Sequence, residues 1–118
     1  MHLVIDASTW RPAPGVGAQP RVVLAHWRLF IGHGRWRYLA GVLPGQATLR
    51  VTSAIVAADP LTRSWRTGSG RVYETPGPAA WDPALCALLA SMVATDELIN
   101  PPLDVSEAAW LEMRQALQ

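Results

Sequence analysis

Cysteine is almost absent from this sequence, and long hydrophobic runs are absent too. The single cysteine, Cys86, excludes an intrachain disulfide and a multi-cysteine metal site, as is typical of a reducing compartment. The longest nearly apolar segment, residues 84–94, is far shorter than the about 20 residues that a membrane-spanning helix requires. The opening residues, MHLVIDASTWR, lack the cationic and apolar regions of a signal peptide. These absences predict a cytoplasmic protein that does not contact a membrane.

Lysine is also missing, so all ten cationic side chains are arginines. Only 16% of the residues are charged and 50% are hydrophobic, a composition that excludes a disordered chain and predicts a globular fold. The length of 118 residues suits one domain, because single domains most often contain about 100–150 residues. We therefore expect a single domain over residues 1–118.

The charges are strongly segregated along the chain. Residues 1–75 contain nine arginines and three acidic residues, a net charge of +6, whereas residues 76–118 contain one arginine and six acidic residues, a net charge of −5. Such segregation predicts a polarised molecule, whose basic section meets either the acidic section of the same chain or an acidic partner.

The basic section begins with a turn-rich segment and continues with strands. Three prolines and two glycines fall within residues 7–20, so we expect residues 1–20 to form an arm or loop. Residues 22–31 are almost continuously apolar and are followed by GHG and then by the alternating run RWRYL. Two such runs joined by glycines, which can adopt positive φ, predict a β-hairpin.

Residues 20–31 also have an alternative interpretation as a helix. Pro20 suits the first turn of a helix, apolar residues recur at every fourth position from Val23, and Gly32 could end the helix. The strand is the favoured interpretation of this segment, and the sequence leaves both open.

Three further segments predict strands. β-Branched residues are frequent in residues 48–58, TLRVTSAIVAA, which indicates one long strand. Residues 63–67 and 71–74 follow as two short strands around the turn GSG. Short strands joined by tight turns predict a small twisted antiparallel sheet, or an SH3- or OB-like barrel, over about residues 21–75.

The last third of the chain predicts two α-helices, at about residues 82–97 and 106–117. Asp82 can cap the first helix, because Pro83 follows it at the first helical position and an apolar stripe of helical period comes next. Ser106 is expected to cap the second helix in the same way. The predicted fold class is therefore α+β, with both helices packed against the β section over residues 82–118.

Four of the six tryptophans have an arginine as a sequence neighbour. Because neighbouring strand residues point to opposite faces, burying the indoles would display the guanidinium groups together on one surface. Such a surface attracts phosphate, and an exposed aromatic ring beside it stacks on bases. Neutralisation of these arginines by the acidic third of the chain is an equally open interpretation. The residues predicted to form the binding surface are Arg35, Arg37, Arg63, Arg66 and Arg71, with Trp36 and Tyr38 for stacking.

No catalytic or metal-binding constellation is found in the sequence. The three histidines lack metal-ligand spacing, and Cys86 lies among alanine and leucine in a predicted helix, where an inert thiol is expected. The opening MHLVIDAS resembles the start of PIN-domain ribonucleases, which implies Asp6 as a ligand of a divalent metal. The further acidic residues and the alternating α/β order of that family are missing, so we expect no enzyme, no cofactor and no metal.

One longer resemblance concerns the β section. The stretch TSAIVAADPLTRSWRTGSGRVYE is similar to short uncharacterised bacterial proteins with a TS-x-I strand, a W-x-T strand and an SGR-x-Y strand. This resemblance implies β-hairpins and no particular activity. We predict a non-catalytic binding protein whose arginine-rich β face engages nucleic acid or a nucleoprotein. The alternatives are a protein-binding inhibitor or accessory factor of a mobile element, such as an anti-CRISPR or immunity protein, and a homodimeric structural module.

Overall fold

The computed structural model of the protein describes residues 20–32, 35–46, 48–97 and 102–116, with the backbone alone at 95–97. The predicted arm, apart from Pro20, lies outside the described residues. Within them the chain forms eight strands and two helices. In chain order these are β1 (Arg21–Val23), β2 (Ala25–Ile31), β3 (Arg37–Leu43), β4 (Thr48–Val51), β5 (Ile55–Asp59), β6 (Ser64–Thr67), β7 (Val72–Glu74), α1 (Pro83–Glu97), β8 (Leu103–Asp104) and α2 (Ser106–Ala116).

The α+β class is confirmed, and both predicted helices are present with nearly the predicted bounds. The strands follow the order β1-β7-β6-β5-β3-β2-β8, with β4 paired to β3. The sheet is mixed rather than wholly antiparallel, because β1 and β7 run parallel. Among the described residues the hydrogen-bonded order runs from β1 to β8 and does not close into a barrel, so the small twisted sheet is the predicted form that the protein adopts.

The segment 20–31 is extended, which decides between its two interpretations in favour of a strand. β1 and β2 are separated by Leu24 alone, yet β1 pairs with β7 and β2 pairs with β3. The chain bends just after Leu24 at His26, which has a φ of 50°, and the β2–β3 register shifts there. Because one residue joins two strands that lie far apart in the sheet order, the sheet is rolled up on itself.

Rolling creates two hydrophobic cores, one on each face of the sheet. The interior core is completed by α2 and the outer core by α1, so the two helices lie on opposite faces. The interior core contains Val22, Leu24, Trp27, Leu29, Leu39, Leu43, Ile55, Trp65 and Tyr73 with Ala109 and Met113 of α2. The outer core contains Phe30, Tyr38, Ala40, Val42 and Leu49 with Leu89 and Val93 of α1.

The long strand predicted over residues 48–58 is divided into β4 and β5. β4 pairs with β3, whereas β5 pairs mainly with β6 and touches β3 only at the pair Arg37 and Ile55. Thr52, in the gap, donates its N–H to the carbonyl of Leu39 and accepts the N–H of Leu39 at its hydroxyl. The strand therefore changes its partner at residues 52–54, which allows the sheet to roll.

The two helices begin in different ways. Asp82 caps α1 as predicted, since its Oδ2 accepts the backbone N–H of Leu85 at 2.9 Å. Ser106 is instead the first residue of α2, and its hydroxyl accepts the backbone N–H of Leu29 in β2 at 2.7 Å. The side chain of Ser106 thus fastens the helix to the sheet rather than capping it.

Arg28 in β2 is 7% exposed and forms hydrogen bonds with three other parts of the fold. Its Nη1 donates to the carbonyl of Ala80 at 2.6 Å, its Nε donates to Asp104 at 3.0 Å, and its Nη2 donates to Glu107 at 2.8 Å. Burial by itself lowers the pKa of Arg28, but the hydrogen bonds to Glu107 and Asp104 outweigh it and raise the pKa above its ordinary value. Arg28 therefore stays charged and ties β2 to the segment before α1 and to the start of α2.

Gly41 offers a test of the close packing at the bend between β1 and β2. A Cβ atom at this position would lie 3.1 Å from the carbonyl oxygen of Ala25 and 3.3 Å from both the Cβ of Leu24 and the Cα of Trp27. We expect Gly41→Ala to lower the free energy of unfolding by about 1–3 kcal/mol, measured by urea denaturation, because backbone atoms must shift. Gly77→Ala is the matched control, since its Cβ would meet open space. Equal stability of the two variants would contradict the close approach.

Arg28 offers a second test of the fold. We expect Arg28→Met to lower the free energy of unfolding by about 3 kcal/mol, because Ala80, Asp104 and Glu107 all lose their cationic donor. The expected loss is at the low end of the usual range because the side chain of Glu107 remains 77% exposed and hydrated. Arg114→Met, on the exposed side of α2, is the control and should change stability by no more than about 0.5 kcal/mol. If Arg114→Met lowered the free energy of unfolding as much as Arg28→Met does, Arg28 would have no special role in stability.

Candidate binding surface

The seven residues predicted to form a binding surface are distributed over different parts of the structure. Tyr38 and Arg71 are each 5% exposed, and Tyr38 belongs to the outer core against α1. Neither side chain is accessible to a partner. Alternation explains the burial of Tyr38, because it lies on the face opposite Arg37 and that face is covered by a helix.

Arg37 and Arg63 lie on the side of the sheet that carries α2. The guanidinium carbon of Arg37 is 5.9 Å from the centroid of the Trp65 ring, and that of Arg63 is 4.9 Å from the centroid of Trp110 in α2. Arg63 also donates from Nη1 to the carbonyl of Pro76 at 2.6 Å. Both guanidinium groups therefore lie against indoles that are distant in sequence, within the range of cation–π attraction.

Arg66 lies on the opposite face of β6. Its neighbours Trp65 and Thr67 are buried, so alternation points Arg66 outward, where it is exposed. In the cross-strand register Arg66 pairs with Val72 of β7, and Val72 pairs with Arg21 of β1. Arg21, which is not among the seven residues predicted from the sequence, is exposed on the same face.

Trp36 lies on the same face of the sheet as Arg66, in the turn before β3. Its carbonyl accepts the N–H of Gly32 at 2.8 Å, so Trp36 continues the β2–β3 ladder just before Arg37. Alternation places its ring on the face opposite Arg37, and Trp36 is 50% exposed. Arg35 precedes it in the same turn, with a φ of 66°, and is also exposed.

A β-bulge in β5 places Val56 on the surface between Trp36 and Arg66. The β5–β6 register shifts between Ile55 and Ala57, so both Val56 and Ala57 lie opposite Arg66. Val56 is consequently turned outward and is 45% exposed. The extra residue of a bulge often re-aims a side chain, and here it fills the surface between Trp36 and Arg66.

These residues form one continuous surface, which we name the uncovered face. It extends over the outside of β1, β7, β6 and β5 to the turn before β3, about 19 Å at the roughly 4.8 Å spacing between neighbouring strands. α1 packs on β2, β3 and β4, so in the described part of the chain this half of the sheet has no helix over it. The uncovered face consists of Arg21, Val23, Trp36, Val56, Arg66, Val72 and Glu74, with Arg35 at its rim.

The uncovered face carries three arginines and the carboxylate of Glu74, with Asp59 at its edge through the pairing of β5 with β6. Arg21 forms an ion pair with Glu74 at 3.4 Å, but both side chains are exposed, and such pairs contribute only about 0–1 kcal/mol. Within the described residues Arg66 has no carboxylate at salt-bridge distance. The acidic third of the chain does take part in neutralisation, through Asp104 and Glu107, but their partner is the buried Arg28 and not an arginine of the predicted surface.

The described residues show no assembled chemical centre of another kind. They contain no group of three or more His, Cys, Asp and Glu side chains that could hold a metal ion. Asp6 and His33 lie outside the described residues. The thiol of Cys86 donates to the carbonyl of Ala80 at 3.5 Å, and burial raises its pKa, which keeps it protonated. Neither helix of the described chain has the length and apolar character needed to cross a bilayer.

Comparison with known proteins identifies no relative of this chain. No protein-family model matches the chain, and no match is found among curated proteins or among solved structures. The function is therefore inferred from the geometry of the uncovered face and its surroundings.

Proposed function

We propose that this protein is a non-catalytic, cytoplasmic binding protein whose uncovered face engages nucleic acid, either free or within a nucleoprotein. The observation that carries the proposal is the row of Trp36, Arg66 and Arg21 across neighbouring strands, with no helix over it in the described residues. The predicted surface is thereby reduced to Arg35, Trp36 and Arg66, and Arg21 is added to it.

The chemistry of this row suits a single strand. Sheet surfaces with exposed aromatic residues bind single-stranded nucleic acid because bases stack on the rings, and each stacked base contributes about 1–3 kcal/mol. Arg66 and Arg21 are separated by β7, about 10 Å at the usual spacing between strands, and each offers a planar fork to a phosphate. Trp36 would hold a base while the two arginines hold the backbone that follows it.

Glu74 supplies an opposing charge within the same face. Its carboxylate accepts from Arg21 at 3.4 Å and competes with any phosphate for that guanidinium. A phosphate that binds Arg21 must displace this weak, exposed ion pair. Removal of the carboxylate should therefore strengthen nucleic-acid binding, an effect that a purely structural role for Glu74 would not produce.

We test the proposal by fluorescence anisotropy with a labelled single-stranded oligonucleotide over a series of salt concentrations. Trp36→Ala should weaken binding about 5- to 150-fold through lost stacking. Arg66→Ala should reduce the slope of log K against log salt by about 0.7, the value of one phosphate contact on a single strand. Glu74→Gln should strengthen binding.

The controls are matched by residue type and exposure. Trp81→Ala removes an indole that is 85% exposed and lies just before α1, and Arg114→Ala removes an exposed arginine of α2. Neither belongs to the uncovered face, so both variants should bind like the original protein. Absence of binding at low salt, or equal losses in the test and control variants, would refute the proposal.

A second candidate is a protein partner, and exposed aliphatic side chains on the same face favour it. Val23 and Val56 are 41% and 45% exposed, and the arginines and Trp36 beside them are residue types that are enriched in interface hot spots. The partner would be the target of an inhibitor or accessory factor, or a second copy of this chain. In that case Val56→Ser should reduce partner capture or dimer formation in size-exclusion chromatography by a larger factor than it reduces oligonucleotide affinity. A loss of oligonucleotide affinity alone would exclude this candidate.

A further inference from the structure

A cleft of about 210 Å³ opens between α2 and the hairpin of β5 and β6. It lies on the side of β6 that carries Trp65, so the strand separates it from Arg66 and the uncovered face. Trp65, Ala109 and Met113 are nearly buried and form an apolar base. The remaining lining residues are Arg37, Ala58, Asp59, Pro60, Ser64 and Glu112.

Arg37 supplies a cation at one end of the cleft. Its guanidinium lies 5.9 Å from the centroid of Trp65, and the residue is only partly exposed. Within the described part of the chain no carboxylate lies at salt-bridge distance from it, in contrast to Arg28, which has two acidic partners. The indole of Trp65 donates its N–H to Thr75 at 2.9 Å, so that ring is fixed beneath the guanidinium. The guanidinium of Arg37 is therefore held in place on the Trp65 ring and can donate hydrogen bonds to a molecule in the cleft.

The carboxylate of the cleft belongs to α2 and not to β5. Asp59 borders the cleft, but it pairs with Ser64, the neighbour of Trp65 along β6, so alternation turns its carboxylate away from the side of Trp65. Glu112 of α2 lines the same cleft, and among the described residues it forms no ion pair with Arg37. The two opposite charges are therefore separated, and both are available to a ligand.

We infer that this cleft binds a small zwitterion with a carboxylate at one end and an ammonium group at the other. The ligand carboxylate lies on the fork of Arg37, and its ammonium group donates to Glu112. An apolar spacer between the two lies over Trp65 and Met113. The volume is below the about 300–1,000 Å³ of pockets for drug-sized molecules, so the ligand is correspondingly small.

The test is a titration of the isotope-labelled full chain with ε-aminocaproate, followed by nitrogen–proton correlation spectra. Caproate and hexylamine, each with one of the two charges, are the matched probes. We expect saturable shifts at the indole N–H of Trp65 and the amides of Ser64 and Glu112. Affinity for caproate and for hexylamine should be at least about tenfold lower, because each loses one charged contact.

Two variants, one on the sheet side and one on the helix side of the cleft, distinguish a loss of ligand contacts from a loss of folding. Arg37→Gln should weaken ε-aminocaproate about tenfold and leave hexylamine unchanged, whereas Glu112→Gln should weaken ε-aminocaproate and hexylamine together. Glu112 is exposed, so its variant is expected to keep the native spectrum, and Arg114→Gln is the control on the same helix. Equal affinity for all three probes, shifts outside the cleft, or no shifts at millimolar ligand would overturn the inference. Oligonucleotide binding by the uncovered face is measured separately, so failure of either proposal leaves the other intact.

Discussion

The buried guanidinium of Arg28 determines how the parts of this fold are placed. It joins β2 to Ala80 before α1 and to Asp104 and Glu107 around the start of α2, contacts that span 52 to 79 residues of sequence. A planar group with several donors in fixed directions can bind these three acceptors together only when each of them lies in the right direction from it. Arg28 therefore holds the chain at the start of both helices against β2, and α1 packs on β2, β3 and β4, so that in the described residues β1, β7, β6 and β5 have no helix on their outer side.

Arginine has three different physical roles in this protein, although the residue type is the same. Arg28 is buried and neutralised, Arg37 and Arg63 lie on indoles beside α2, and Arg66 is exposed on the uncovered face. Among the described tryptophans, only Trp65 and its neighbour Arg66 separate a buried ring from an exposed cation as alternation predicts. The ring contacts of Arg37 and Arg63 are made with tryptophans 28 and 47 positions away along the chain. Tryptophan–arginine adjacency therefore predicted a β structure and not the actual contacts.

The sequence predicted the local elements well and the long-range pairing poorly. Asp82 and the apolar stripe after it act locally, so α1 could be placed from sequence. The segment 20–31 was ambiguous because residues 27–30 of β2 are buried on both faces, which removes the alternation that distinguishes a strand from a helix. The division of residues 48–58 and the burial of Arg71 depend on strands that are distant in sequence, and no local pattern encodes them. For the same reason Arg21 could not be selected, since it joins Arg66 only through the parallel pairing of β1 with β7.

The strand β6 separates the two proposed sites and limits how they can influence each other. Trp65 points into the cleft beside α2, and Arg66, the next residue, points onto the uncovered face. A small molecule in the cleft and a strand of nucleic acid on the outside would occupy opposite sides of one layer of backbone, so they would not compete for space. Any effect of one ligand on the other must pass through β6, through a change in its register or twist. The ladder that holds β6 between β5 and β7 opposes such a change, and coupling between the two sites should therefore be weak.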